Sequence, residues 1–255
     1  MDVLSAILRW LHVIAGIIWI GYLYFFNFVN IPFAAKMKEA GVGKTTVPEL
    51  MPRALFWFRW GAAWTWVTGV LLLLLVFYHG GILFDDPMTG EFGTATIASI
   101  ALTFLGVFIY DALFKSPLAG NVKVAYSVGF AIIAGVVILM AEGAGFSYRA
   151  YNIHIGSMFG TAMAFNVWFR IWPAQQKIIT ATKNGEAPDP ALLALAGGRS
   201  RHNTYLSVPL VWMMINSHTT SFAGFGGYIG LLVIILLGWH IVFQFYAKSL
   251  KIEGF

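Results

Sequence analysis

The chain has 255 residues, 59% of them hydrophobic and only 11% charged, with a mean hydropathy of +0.76. Soluble domains carry roughly 25% charged residues, so the composition excludes one and describes an integral membrane protein whose spans use most of the length. The net charge of +5 does not point to nucleic acid, because the basic residues sit in short loops beside apolar runs; the absence of cysteine excludes disulfides, a Cys-ligated iron–sulfur cluster and covalent c-type haem.

Seven apolar segments, each long enough to cross a hydrocarbon core of ~30 Å, follow in chain order: Ser5 to Val29, Ala54 to Tyr78, Thr94 to Phe114, Val122 to Met140, Tyr151 to Trp172, His202 to Ser221 and Tyr228 to Tyr246. The first lacks a basic segment before its apolar run, so it is expected to be a retained helix rather than a cleaved signal peptide. The sixth contains Pro209 and a short apolar core, which predicts a kinked or re-entrant segment. Between the fifth and sixth, Pro173 to Arg201 reads as a longer loop, punctuated by Asn184-Gly185, Pro188 and Pro190. It ends in a small amphipathic piece, ALLALAGG, suited to a membrane surface.

Loop charge gives the orientation. Lys36, Lys38, Lys44 and Arg53 follow the first span, Lys115 and Lys123 the third, Lys177, Lys183, Arg199 and Arg201 the fifth, and Lys248 and Lys251 the seventh. The intervening loops carry Asp85, Asp86, Glu91 and Glu142, with a single Arg149. Positive charge concentrates on the cytoplasmic side of short loops. The expectation is an all-α, polytopic membrane helix bundle of about seven transmembrane helices, one domain over residues 1–255, with its N-terminus outside and its C-terminus cytoplasmic.

Six histidines are the residues able to carry chemistry. In that topology His12, His79, His154 and His218 converge on the outer side from four helices, His202 starts the sixth span and His240 lies deep in the seventh. An ionisable group inside a membrane is costly unless it has a partner, so His12 and His154, the deeper outer pair, are the first candidates for a ligand or buried hydrogen-bonding role. Neutral imidazoles on facing helices are what a haem b or a histidine-bound metal needs. His12, Gly16 and Trp19 share one helical face, as do His154, Met158, Thr161 and Phe165. The bland readings are a hydrated interface for His79 and His218, a solvated cytoplasmic face for His202, and an interhelical hydrogen bond for His240. Asn27, Asn166 and Asn216 are candidates for interhelical hydrogen bonds, and Arg59 with Asp111 for an ion pair.

Three stretches, LRWLHVIAGIIWIG at Leu8, HIGSMFGTAMAFNVWFRIWPAQQK at His154 and RSRHNTYLSVPLVWMMINSHTTS at Arg199, together resemble the N-terminal membrane domain of bacterial, cytochrome-linked, membrane-bound urate oxidases. The resemblance implies an oxidoreductase of the bacterial inner membrane that passes electrons to a cytochrome, with His12, His154, His202, His218 and His240 in motif positions. No C-x-x-C-H is present, so a separate cytochrome c or a quinone would be the redox partner, and the assembly would be a homo-oligomer or a larger respiratory complex. Two other classes stay open: a proton or solute transporter lined by His154, His240, Arg59 and Asp111, and a copper or zinc site built from the outer histidines.

Overall fold

In the computed structural model, which describes residues 2–85, 90, 92–216 and 221–252, the chain is helical nearly throughout. Among the described residues nine α-helices occur in order: α1 Asp2–Tyr24, α2 Ile31–Glu39, α3 Gly43–Leu72, α4 Thr94–Leu113, α5 Val122–Ile138, α6 Tyr148–Asn166, α7 Trp172–Asn184, α8 Pro190–Asn216 and α9 Ser221–Ser249. Among the described residues the only strand-like pairing is a bridge between Phe84 and Phe146.

π-Helical turns join α1 to α2 at Phe25–Asn30 and α6 to α7 at Val167–Ile171, and extend α3 at Leu73–His79 and α5 at Leu139–Gly143. Such turns insert a residue without ending the helix. The stretch Asp2–Glu39 is thereby one 38-residue helix, about 57 Å long, nearly twice a hydrocarbon core. Five described helices are long and apolar enough to cross a membrane: Asp2–Glu39, Gly43–His79, Thr94–Leu113, Val122–Gly143 and Gly226–Ser249. The chain is a multi-pass membrane protein on that evidence.

Two sequence expectations are corrected. The loop predicted over Pro173 to Arg201 is mostly helix, because the signals within it cap helices instead of opening a loop. Gly185 takes the left-handed conformation (φ 81°) that closes α7, and the Asp189 carboxylate accepts from the Ala191 amide at 2.8 Å to start α8. ALLALAGG is then the first part of α8, held by packing of Leu192 and Ala196 on Ala174 and Ile178 of α7. The sixth apolar segment is also regular up to Asn216: α8 runs through Pro209 as a continuous helix, and His218 beyond it lies outside the described residues.

Contacts divide the chain into two compact units. The first comprises residues 1–69, 163–208 and 238–255. Gly61 lets α3 approach α1 closely, since a Cβ there would lie 3.1 Å from the Trp19 amide nitrogen, and Trp19, Leu23, Phe26 and Phe58 fill the interior. A buried polar network secures it. Asn27 donates to Ser200 Oγ (2.8 Å) and accepts from the Tyr246 hydroxyl (2.8 Å); Asn166 donates to Asn203 Oδ1 (2.8 Å), which donates in turn to the Met163 carbonyl (3.0 Å). Asn27 and Asn166 thus make the interhelical bonds expected of them, whereas Asn216 bonds back to its own helix at the Trp212 carbonyl.

The second unit comprises residues 70–162 and 209–237. Its interior holds Phe77, Leu83, Val137, Met140, Phe146, Ile155, Phe159, Met213 and Leu231. Ser147 starts α6 by accepting from the Ala150 amide, and its own hydroxyl donates to the Ile82 carbonyl, fixing the loop after α3 against that helix. Asp111 and Arg59, the two charged groups expected to pair, belong to different units, and each has a partner within its own. Asp111 binds Lys115 one turn along α4 at 2.7 Å, and the Arg59 guanidinium stacks on Trp172 at 3.9 Å, with Trp168 beside it. Lysine at i+4 is within reach on the same helix, and a delocalised guanidinium prefers an indole face where water is scarce.

Candidate functional site

His12 is half-buried on α1, and its ring rests on α3. Its Nδ1 lies 3.1 Å from Thr68 Oγ1. The Thr68 hydroxyl has one proton, which it donates to the Trp64 carbonyl at 2.6 Å, so the imidazole Nδ1–H is the donor and Nε2 carries the ring's lone pair. Gly69 makes the room for this: a Cβ there would sit 2.9 Å from His12 Cε1. Beside these residues a groove of 710 Å³ opens between α1 and α3, lined by apolar side chains including Trp57, Trp60 and Trp64, with Thr68 at one end.

His154 is fully buried on α6, in an aromatic shell of Phe77, Tyr78 and Phe146. Its Nδ1–H donates to the Ala150 carbonyl at 2.7 Å, which again leaves the lone pair on Nε2; there it accepts from the Tyr78 hydroxyl at 2.9 Å. Both first-choice histidines therefore have the same tautomer, held by a helix through Nδ1, the arrangement that orients an imidazole for binding iron through Nε2. At His154 that lone pair is shared with a phenol.

The remaining candidates divide by exposure. His79 is exposed, because neighbouring residues on a helix point about 100° apart and Tyr78 takes the inward position. His240 is exposed on α9, with Gln244 3.2 Å from its Nε2. His202 is half-buried on α8. His12, His202 and His240 belong to the first unit and His79 and His154 to the second. Among the described residues no three His, Cys, Asp or Glu side chains are grouped to hold a metal ion. A haem needs only one or two axial imidazoles; the His12 ring, held through Nδ1, would suit that role through Nε2, whereas at His154 the Tyr78 hydroxyl occupies that atom.

Tyr78, Thr68 and Gly69 escaped the sequence reading. Their only signal is position: each lies on a face of the second span that the histidines of other helices must meet, which spacing within one helix does not reveal.

The family model described as "Urate oxidase N-terminal" matches residues 42–253. The chain belongs to this family. The matched stretch takes in His79, His154, His202, His218 and His240, and α1 with His12 precedes it. Neither curated proteins nor solved structures match the chain.

Proposed function

We propose that this member of the urate oxidase N-terminal family is a haem b-binding, electron-transferring subunit of a urate-oxidase-like membrane oxidoreductase. It sits in a bacterial cytoplasmic membrane with seven spans, the N-terminus outside and the C-terminus inside. The observation that carries the reading is the orientation of His12: a neutral imidazole in a membrane helix, held through Nδ1–H by Thr68 and given space by Gly69, with Nε2 left to bind iron.

His12 and His154 are the first choices for axial ligands, with His79, His202, His218 and His240 as the alternates. When bound, haem b supplies one-electron chemistry, and the protein sets its potential through ligand and burial. The chain's own part is to fix the imidazoles, exclude water with the aromatic shell of Phe77, Phe146 and Tyr78, and keep the polar groups satisfied. Electrons pass to a separate cytochrome c or to quinone. The pattern of charge along the chain supports the orientation: the basic groups Lys36 to Arg53, Lys115 and Lys123, Lys177 to Arg201, and Lys248 and Lys251 alternate with the acidic segments around Asp85 and Glu142.

The test is haem content per protein in His12→Ala and His154→Ala, each expressed with ample haem and checked for folding by size-exclusion and thermal melting. The account expects loss of the haem spectrum in both. Full absorbance retained in both folded variants would remove the ligand assignment.

A further inference from the structure

The second unit contains a line of polar side chains that the haem proposal does not use. On α4, Thr96, Ser99 and Thr103 follow at i, i+3 and i+7 and are all buried to 1% exposure or less. Farther along α4, Gly106 lies about 60° to one side of this line and Asp111 about 80° to the other; the Asp111 side chain is 8% exposed and paired with the largely exposed Lys115. Apolar residues are the ordinary choice for the inward face of a span, since each buried hydroxyl must find a hydrogen bond. Thr103 finds one at the Ser99 carbonyl (2.9 Å), but Ser99 Oγ, wholly buried, has no hydrogen-bond partner.

The helix facing this line is polar as well. A Cβ on Gly106 would meet Met158 Sδ at 3.4 Å, which sets that face of α4 against the face of α6 bearing Met158. His154 lies one turn before Met158 on that face, and the buried Thr161 about one turn after it, its hydroxyl bonded to the Ser157 carbonyl.

We infer that α4 and the side of α6 facing it form a proton-conducting path, running from the Asp111–Lys115 pair past Thr161, Met158 and Thr103 to Ser99 and Thr96, with His154 beside it. The spacing suits single waters. Successive hydroxyls from Thr96 to Ser99 to Thr103 are about 4.5 and 6 Å apart along the helix, distances that one water with two hydrogen bonds closes. The step of about 12 Å from Thr103 to Asp111 is the longest and takes more than one water, with Thr161 on α6 the next polar group after Met158. There the unbranched Met158 is the movable obstruction. Ser99 Oγ supplies the bond site for a bridging water.

The transfer changes no covalent skeleton. The Asp111 carboxylate accepts a proton from water at the Lys115 end. Each oxygen along the line then accepts one proton on one side and releases one on the other. A proton leaves to water beyond Thr96, so one enters and one departs. The path does not depend on a haem being present.

The experiment measures proton flux into proteoliposomes of the full chain, loaded with pyranine and driven by a valinomycin potassium potential. Wild-type protein should acidify the lumen at least tenfold faster than protein-free vesicles, and Ser99→Ala and Asp111→Asn should bring the rate to within twofold of those vesicles. Ser99→Ala separates conduction from structure. Removing a buried hydroxyl that bonds to nothing in the protein leaves the melting temperature unchanged or higher, so a loss of flux in that variant is not a loss of fold. Wild-type flux equal to that of protein-free vesicles, or a Ser99→Ala flux equal to wild type, would overturn the path.

Discussion

Replacing Gly69 by alanine isolates the placement of His12 from the stability of the helix that supports it. The new Cβ would lie 2.9 Å from His12 Cε1 and 3.4 Å from Nδ1, too close for the ring to stay where it is. The atoms in the way belong to a side chain rather than to backbone, so the ring moves by a few tenths of an ångström and α3 does not. Two stability terms oppose each other. Alanine in a helix interior is favoured over glycine by ~1 kcal/mol, and stretching the 3.1 Å bond from Nδ1 to Thr68 forfeits ~0.5–1.5 kcal/mol. They cancel to within ~1 kcal/mol, a melting shift of only a few degrees in a chain of this size. The ligand geometry has no such compensation. Reduced-minus-oxidised spectra of purified Gly69→Ala should therefore show haem content at least halved, or a displaced reduced band, in protein that melts within about 4 °C of wild type. A spectrum and haem content identical to wild type would refute the placement of His12 against iron. A fall in melting temperature beyond ~10 °C would refute the claim that only the ring moves.

In haem-free protein Tyr78→Phe removes the donor to His154 Nε2 and leaves a fully buried acceptor without its bond, so it should cost ~1–3 kcal/mol in denaturant unfolding; a change below ~0.5 kcal/mol would mean that the 2.9 Å contact contributes nothing. Within the first unit, Asn203→Leu should destabilise by ~1–3 kcal/mol because the Asn166 amide it accepts from stays buried. Adding Asn166→Leu should recover part of that loss, and strictly additive single and double variants would show that the two amides are not coupled.

The spans could be read from the sequence because hydrophobic length is a local property: the apolar runs starting at Ser5, Ala54, Thr94, Val122 and Tyr228 all lie within helices that qualify as membrane-crossing. The helical state of Pro173 to Arg201 could not. Gly185 and Asp189 are equally at home in a loop and in a tight turn between helices, and the packing of α7 on α8 through Ala174, Ile178, Ala196 and Leu192 decides between them. Histidine depth was legible in the same limited way. The burial of His154 followed from its place in an apolar run, but its partner depended on which side of the π-helical turn after α3 faces inward. That choice gave the position to Tyr78 and left His79 exposed. Likewise Asp111 and Arg59 could be singled out as polar groups within apolar helices, whereas their local partners, Lys115 one turn along and the indole of Trp172, were not foreseen.

The central claim is that the family's fold here carries a haem, and the absorption spectrum of the detergent-purified full chain, oxidised and then reduced with dithionite, tests it most directly when combined with a pyridine haemochrome assay. The account predicts a Soret band that shifts on reduction and a haemochrome of haem b. A flat visible spectrum from folded protein expressed with ample haem would contradict it.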